Sequence, residues 1–247
     1  MQLTATANPG YTFSSWSGDL TGSANPKWTA ILAPMSVTAT FTRRQSSSLD
    51  VALAAAGAGR VTTVGSNGST QDGYAAVTWG SSSTAPYGTA IFSYSQNGVV
   101  VSEAGVPASP PTTSARIFVD YRTGASIPGS AGTVDTYTGF AAVNRGSGTA
   151  NISYTLRKLS GDPIASGTGS LGVNAHMASF INQLPDVLSG FSIPPSFPTD
   201  TCFGTLELSS DQPLSIVALR LTTNQRGETL LTSTPIADMS HPFVTRD

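Results

Sequence analysis

GTAIFSYSQNGVVVSEAGV (residues 88–106) holds two strand-like runs on either side of one Asn-Gly pair, Asn97-Gly98. A two-residue turn of this kind needs positive φ at both central positions, and Asn followed by Gly tolerates that best. The segment therefore predicts a tight hairpin, and with it antiparallel neighbours.

Working outward, similar runs recur at short spacing. Upstream lie VALAAAG (51–57), GRVTTV (59–64) and GYAAVTW (73–79). Downstream come ARIFVDYR, YTGFAAVN, ANISYTLRKL, ASGTGSLGV, CFGTLELSS, LSIVALRLTT and ETLLTSTPI. Gly, Asn, Pro or Ser separates nearly all of them. Many short strands punctuated by turns point to an antiparallel sandwich or barrel, not to alternating strands and helices. One helix is expected over 175–184 in NAHMASFINQLPDVL, with Asn174 as its N-cap and Pro185 ending it. The proline-rich SGFSIPPSFPTD behind it reads as a stiff extended loop.

The N-terminal stretch has its own pattern. QLTATANPGYTF alternates apolar and polar residues, breaks at Asn8-Pro9-Gly10 and resumes with Tyr11 and Phe13. A second turn cluster, SGDLTGSANP, leads to KWTAILAP and then to SVTATF. Four short strands fit within about forty residues. In its order of turns and aromatics, LTATANPGYTFSSWSGDLTGSANP followed by SVTATF resembles the internalin-type B-repeats of bacterial surface proteins. In that family a Gly-rich strand pair precedes the part present here, so residues 1–41 are expected to be the C-terminal part of a β-repeat module. A repeat without its first strands would leave an open sheet edge and expose Leu3, Tyr11, Phe13 and Trp16. The expected outcome is docking on the main body or a homodimer through residues 1–41.

TRRQSSSLD reads as the linker, placed at 42–49. Residues 50–238 then form the main domain and 239–247 a tail. GYAAVTW, EAGVPAS, LRKLSGDPIA, NAHMASFI and LLTSTPIAD occur in the order of an uncharacterised β domain of large predicted extracellular proteins from soil and sediment bacteria. This second resemblance implies export and β architecture but no activity. The fold expectation is all-β: an antiparallel β-sandwich with one short helix, preceded by a truncated small β-repeat module.

Composition narrows the function classes. Charged residues make up 11% and the net charge is −2, so nothing attracts nucleic acid or an anionic membrane. No apolar run approaches the ~20 residues of a membrane span. A lone cysteine, Cys202, builds neither a disulfide framework nor a CxxC metal site.

The chemistry is sparse. A hydrolase needs a nucleophile, a base and an orienting group. His241 falls in the tail, which leaves His176 as the usable imidazole and a Cys202–His176 dyad as the nucleophilic option. Glu103, in a loop before the Gly105–Pro107 turn, and Asp120, ending ARIFVD, are the carboxylate candidates. Either serves as an acid, holds Ca²⁺ through oxygen, or pairs with Arg116, Arg122 or Arg220. The structural reading makes them internal ion pairs, with His176 bonded to a carbonyl and Cys202 a small buried apolar side chain. Trp79 and Tyr87, flanking a loop, are candidates for a sugar-stacking platform, with Tyr94 and Tyr121 also available. The leading expectation is a non-catalytic extracellular spacer or adhesion module, partnered by neighbouring modules and without a cofactor. A polysaccharide-binding module and a hydrolase with an unfamiliar site are the rivals.

Overall fold

The structure, a computed structural model, describes residues 1–7, 11–31, 33–43, 48–62, 73–80 and 84–241 of the chain. The chain divides into two compact units, Met1–Asp72 and Gly73–Asp247. The linker expected at 42–49 and the expected turn at 8–10 lie partly or wholly outside the described residues.

In the first unit β1 (Gln2–Leu3) pairs with β3 (Lys27–Trp28), and β2 (Tyr11–Gly18) pairs with β4 (Val37–Arg43), both antiparallel. Trp16 is not exposed as the sequence suggested. Its ring is buried beside Phe13, and its Nε1 donates to Ala24 O at 2.8 Å, so the indole satisfies its one donor while burying its apolar area. Asn25 acts as a surrogate strand residue: its amide donates to Ala5 O and accepts from Ala5 N. Gly18 has φ +91°, and a Cβ there would overlap Ser36 O, so only glycine suits this turn.

In the second unit β5 (Thr89–Gln96) and β6 (Val99–Pro107) form the hairpin that the Asn-Gly pair predicts. Asn97 has φ +51° and Gly98 φ +78°. The larger sheet system contains β7 (Thr112–Asp120), β8 (Arg122–Ser126), β9 (Thr133–Asn144), β10 (Ala150–Lys158) and β11 (Pro163–Leu171). It continues with β12 (His176–Phe180), β13 (Phe203–Thr223), β14 (Thr229–Thr234) and β15 (Ile236–Asp238). All of its pairings are antiparallel.

β13 organises this unit. Its first half lies between β10 and β7, in the order β11-β10-β13-β7-β15. Its second half lies between β9 and β14, and β9 also carries β12 and β8. The switch falls between Ser209 and Leu214, where the register shifts and Pro213, which has no N–H to donate, sits at the break. CFGTLELSS and LSIVALRLTT, expected as two strands, are therefore one bent strand. Period-two alternation turns Ile117, Val119, Tyr154, Leu156, Leu206 and Leu208 into the same core as Phe140, Ala142, Ile216 and Ala218. That shared core between two curled antiparallel layers is the sandwich-like all-β architecture the sequence predicts.

Three local expectations are corrected. The helix over 175–184 is displaced: His176–Phe180 is strand β12, paired with β9, followed by a 3₁₀ turn at Ile181–Gln183 and a single α turn, α1, at Leu184–Val187. Asn174 has φ +56° and reverses the chain instead of capping a helix. Pro185 sits in the first turn of α1, second after Leu184, where no N–H is required of it. The runs at 51–57 and 73–79 carry no strand, and neither does 59–62, residues 63–64 lying outside the described residues. VALAAAG is Ala- and Gly-rich, with a single β-branched residue to favour a pleated surface, whereas GYAAVTW has that content and still forms no strand, for which composition gives no reason. ARIFVDYR divides at Tyr121 into β7 and β8. The loop after α1 is anchored, because Phe191 and Phe197 enter the core.

Candidate functional site

Asp120 ends β7 at one end of the sandwich, where the inward face of β13 changes from Ile216 and Ala218 to Arg220. The aspartate is only 3% exposed. Arg122 grips it in a fork, Nε donating to Oδ1 at 2.7 Å and Nη2 to Oδ2 at 2.9 Å. Arg220 Nε lies 2.8 Å from Oδ2, close enough to pair but misaligned, so this buried nitrogen has no hydrogen-bond acceptor among the described residues. Thr138 completes the support, its hydroxyl accepting from Asp120 N–H and donating to Asp120 O. A carboxylate this buried stays stable only with such partners.

A cleft of about 420 Å³ opens beside this cluster, between β8 and the 197–201 turn. Arg122, Gly124, Thr199, Cys202 and Phe203 are among its walls. Cys202 sits at φ +59° and its thiol donates to Pro198 O at 3.3 Å. Burial pushes that thiol up, against the opposing pull of Arg122, so it stays protonated and is a poor nucleophile near neutrality. The Arg122 guanidinium stacks over the Phe203 ring, 5.3 Å from its centroid.

The other candidates lie elsewhere. His176 pairs with Val143 on β9, whereas Asp120 is held by Thr138 of the same strand. Five residues of strand separate those two anchors by roughly 17 Å, too far for a Cys202–His176 dyad. His176 instead packs edge-on against Tyr74, whose ring also carries the Arg145 guanidinium at 6.0 Å from its centroid, and Arg145 Nη1 donates to Asn174 Oδ1. Glu103 is not in a loop. It lies within β6, opposite Ser93, whose hydroxyl donates to it at 2.6 Å. Arg116, weighed as a partner of Asp120, pairs with Glu207, which Arg157 also grips from β10. Burial raises the Glu207 carboxyl, but the two guanidinium hydrogen bonds outweigh it and the net shift is downward.

Sequence reasoning missed Asp238. Thr112 donates to it at 2.6 Å from 126 positions away, and His241 Nδ1 lies 3.1 Å from its other oxygen. The Thr112 hydrogen bond holds that carboxyl well below the usual range. Ser240 stands nearby, with its hydroxyl bonded to that of Thr112, and among the described residues it makes no side-chain hydrogen bond to His241. The only signal was the D-x-S-H spacing, which does not reveal Thr112.

Trp79 is 54% exposed and Tyr87 82%. Residues 81–83 between them lie outside the described residues. Among the described residues no group of His, Cys, Asp and Glu is arranged to hold a metal ion, and no helix is long and apolar enough to cross a membrane.

Residues 1–45 match the divergent InlB B-repeat domain. That match coincides with β1 to β4 and the buried Trp16. No curated protein matches the chain. A solved structure titled "Crystal Structure of Thermotoga maritima 1070" aligns at 13% identity over 50% of this chain and 93% of its own, with TM-score 0.35. A likeness at that level carries no argument. Nothing in these comparisons supports the resemblance read for residues 50–238.

Proposed function

We propose that the chain is a non-catalytic, extracellular portion of a multidomain bacterial surface or secreted protein. Residues 1–41 are the end of a β-repeat, 42–49 a linker, 50–238 a β-sandwich spacer or adhesion module, and 239–247 a connection onward. The observation that carries this reading is the B-repeat match at residues 1–45, joined to an all-β second unit. The charged clusters give further support. Asp120, Glu207 and Glu228 are each engaged by arginine, so their carboxylates serve as internal ties and not as open acid–base groups. Antibody to the folded chain should label intact cells of the source organism, and external protease should remove the label. Labelling only after permeabilisation overturns the proposal.

A polysaccharide-binding role is the second reading, favoured by the exposure of Trp79 and Tyr87. Titrating soluble polysaccharide should then shift tryptophan emission in the parent chain and not in Trp79→Ala. Equal responses in both would sink it.

A further inference from the structure

β5 is the most exposed strand of the second unit. All eight of its residues are solvent-accessible, and among the described residues its only ladder partner is β6. Ile91 is 70% exposed, Phe92 47% and Tyr94 37%. Phe92 and Tyr94 point to the same face as their cross-strand partners Ala104 and Ser102. On β6 that face is covered: Ala104 and Val106 are buried, and Ser102 Oγ accepts from Leu231 N of β14 at 2.7 Å. On β5 the same face overhangs into solvent.

Strand edges are ordinarily protected by a charge, a proline or a bulge. TAIFSYSQ contains no charged residue and no proline. The register shift in the hairpin places its extra residue, Val101, on β6, which leaves β5 unbroken.

We propose that the outer edge of β5 is a self-association surface. Two copies of this chain pair their β5 strands antiparallel about a twofold axis at Ser93, merging two hairpins into one four-stranded sheet. A twofold axis normal to the sheet demands that opposed residues share a face, so their numbers must have the same parity. With Ser93 opposite Ser93, Phe92 of each copy faces Tyr94 of the other, giving two aromatic cross-strand pairs. Ile91 faces Ser95 and Ala90 faces Gln96. The charge pattern permits this arrangement. The nearest carboxylate, Glu103, is on β6 and hydrogen-bonded to Ser93. The two copies of Glu103 would stand three strand spacings apart, roughly 14 Å, beyond the screening length of about 8 Å.

One strand pair buries less than the roughly 1,600 Å² of a standard interface, so dissociation constants on the order of 10–100 µM are expected. Sedimentation velocity of the full chain from about 1 to 500 µM should show monomer passing to dimer, with little change between low and high salt, since no charge is involved. Phe92→Glu/Tyr94→Glu and Phe92→Lys/Tyr94→Lys each set like charges opposite one another and should weaken association at least tenfold. An equimolar mixture of the two variants sets Glu opposite Lys and should restore the dimer. A chain lacking residues 1–44 should dimerise as the parent does. A parent chain that stays monomeric, folded variants that dimerise unimpaired, or folded variants that fail to pair when mixed would each overturn the proposal. Loss of the dimer on removing residues 1–44 would move the interface to the B-repeat and overturn it too.

Discussion

Asp120, the one buried charged residue among the described residues, brings two guanidinium groups and a threonine together inside the sandwich. Removing one member of a buried ion cluster costs about 3–5 kcal/mol when the survivors stay buried and unpaired. Here the survivors are Arg122 and Arg220, which reach solvent in part and can turn outward. Asp120→Ala is therefore expected to cost about 2–4 kcal/mol, read as a lowered denaturant midpoint with an unchanged slope. A midpoint equal to that of the parent would mean that the cluster contributes nothing. At this scale the sequence was informative about chemical type and poor about pairing. Arg122 and Arg220 were among the partners considered for Asp120, two positions and a hundred positions away. The allocation of Arg116 to Glu207 instead depends on β7 and β13 aligning those two residues, and no local pattern encodes that register.

At the scale of elements, legibility followed how local the deciding interaction is. The β5–β6 hairpin was readable because its turn is decided by Asn97 and Gly98 themselves. β12 was not. HMASF suits a helix or a strand on its own residues, and the strand wins because β9 offers it a complete ladder from Gly139 to Val143. The bend of β13 was hidden for a related reason, since its two halves answer to different neighbours. Close approach of backbones also leaves little trace in sequence. Gly204 sits where a Cβ would overlap Arg157 O of β10. Gly204→Ala must push β10 from β13 and should cost about 1–3 kcal/mol, with the loss visible as earlier melting. Alanine at Gly73, where the space is open, is the matched control. Equal melting of the two variants would refute the steric account.

For the molecule as a whole, the core carries a titratable reporter. Tyr154 is fully buried, with its hydroxyl donating to Met177 Sδ at 3.2 Å, and burial pushes its pKa up to about 12. In the unfolded chain it ionises near 10, so between 10 and about 12 the unfolded state holds fewer protons. Stability is whole below pH 10 and is lost as pH rises through that window, by about 2–3 kcal/mol at completion. Tyr154→Phe removes the titration and should flatten the fall in stability over the same range. Parallel curves for the two proteins would place the ionising group elsewhere.

β13, the strand shared by both layers, is also a matter of timing. Phe203 pairs with Asp120, which precedes it by 83 positions. At roughly 5–20 residues per second, a ribosome makes that interval in roughly 4–17 s. Until then β7, β9 and β10 have been synthesised with their apolar faces prepared and their central partner missing. The nascent chain in that period is a row of hairpins that no amount of local preference can close, exposed to proteases and dependent on whatever holds it until β13 emerges.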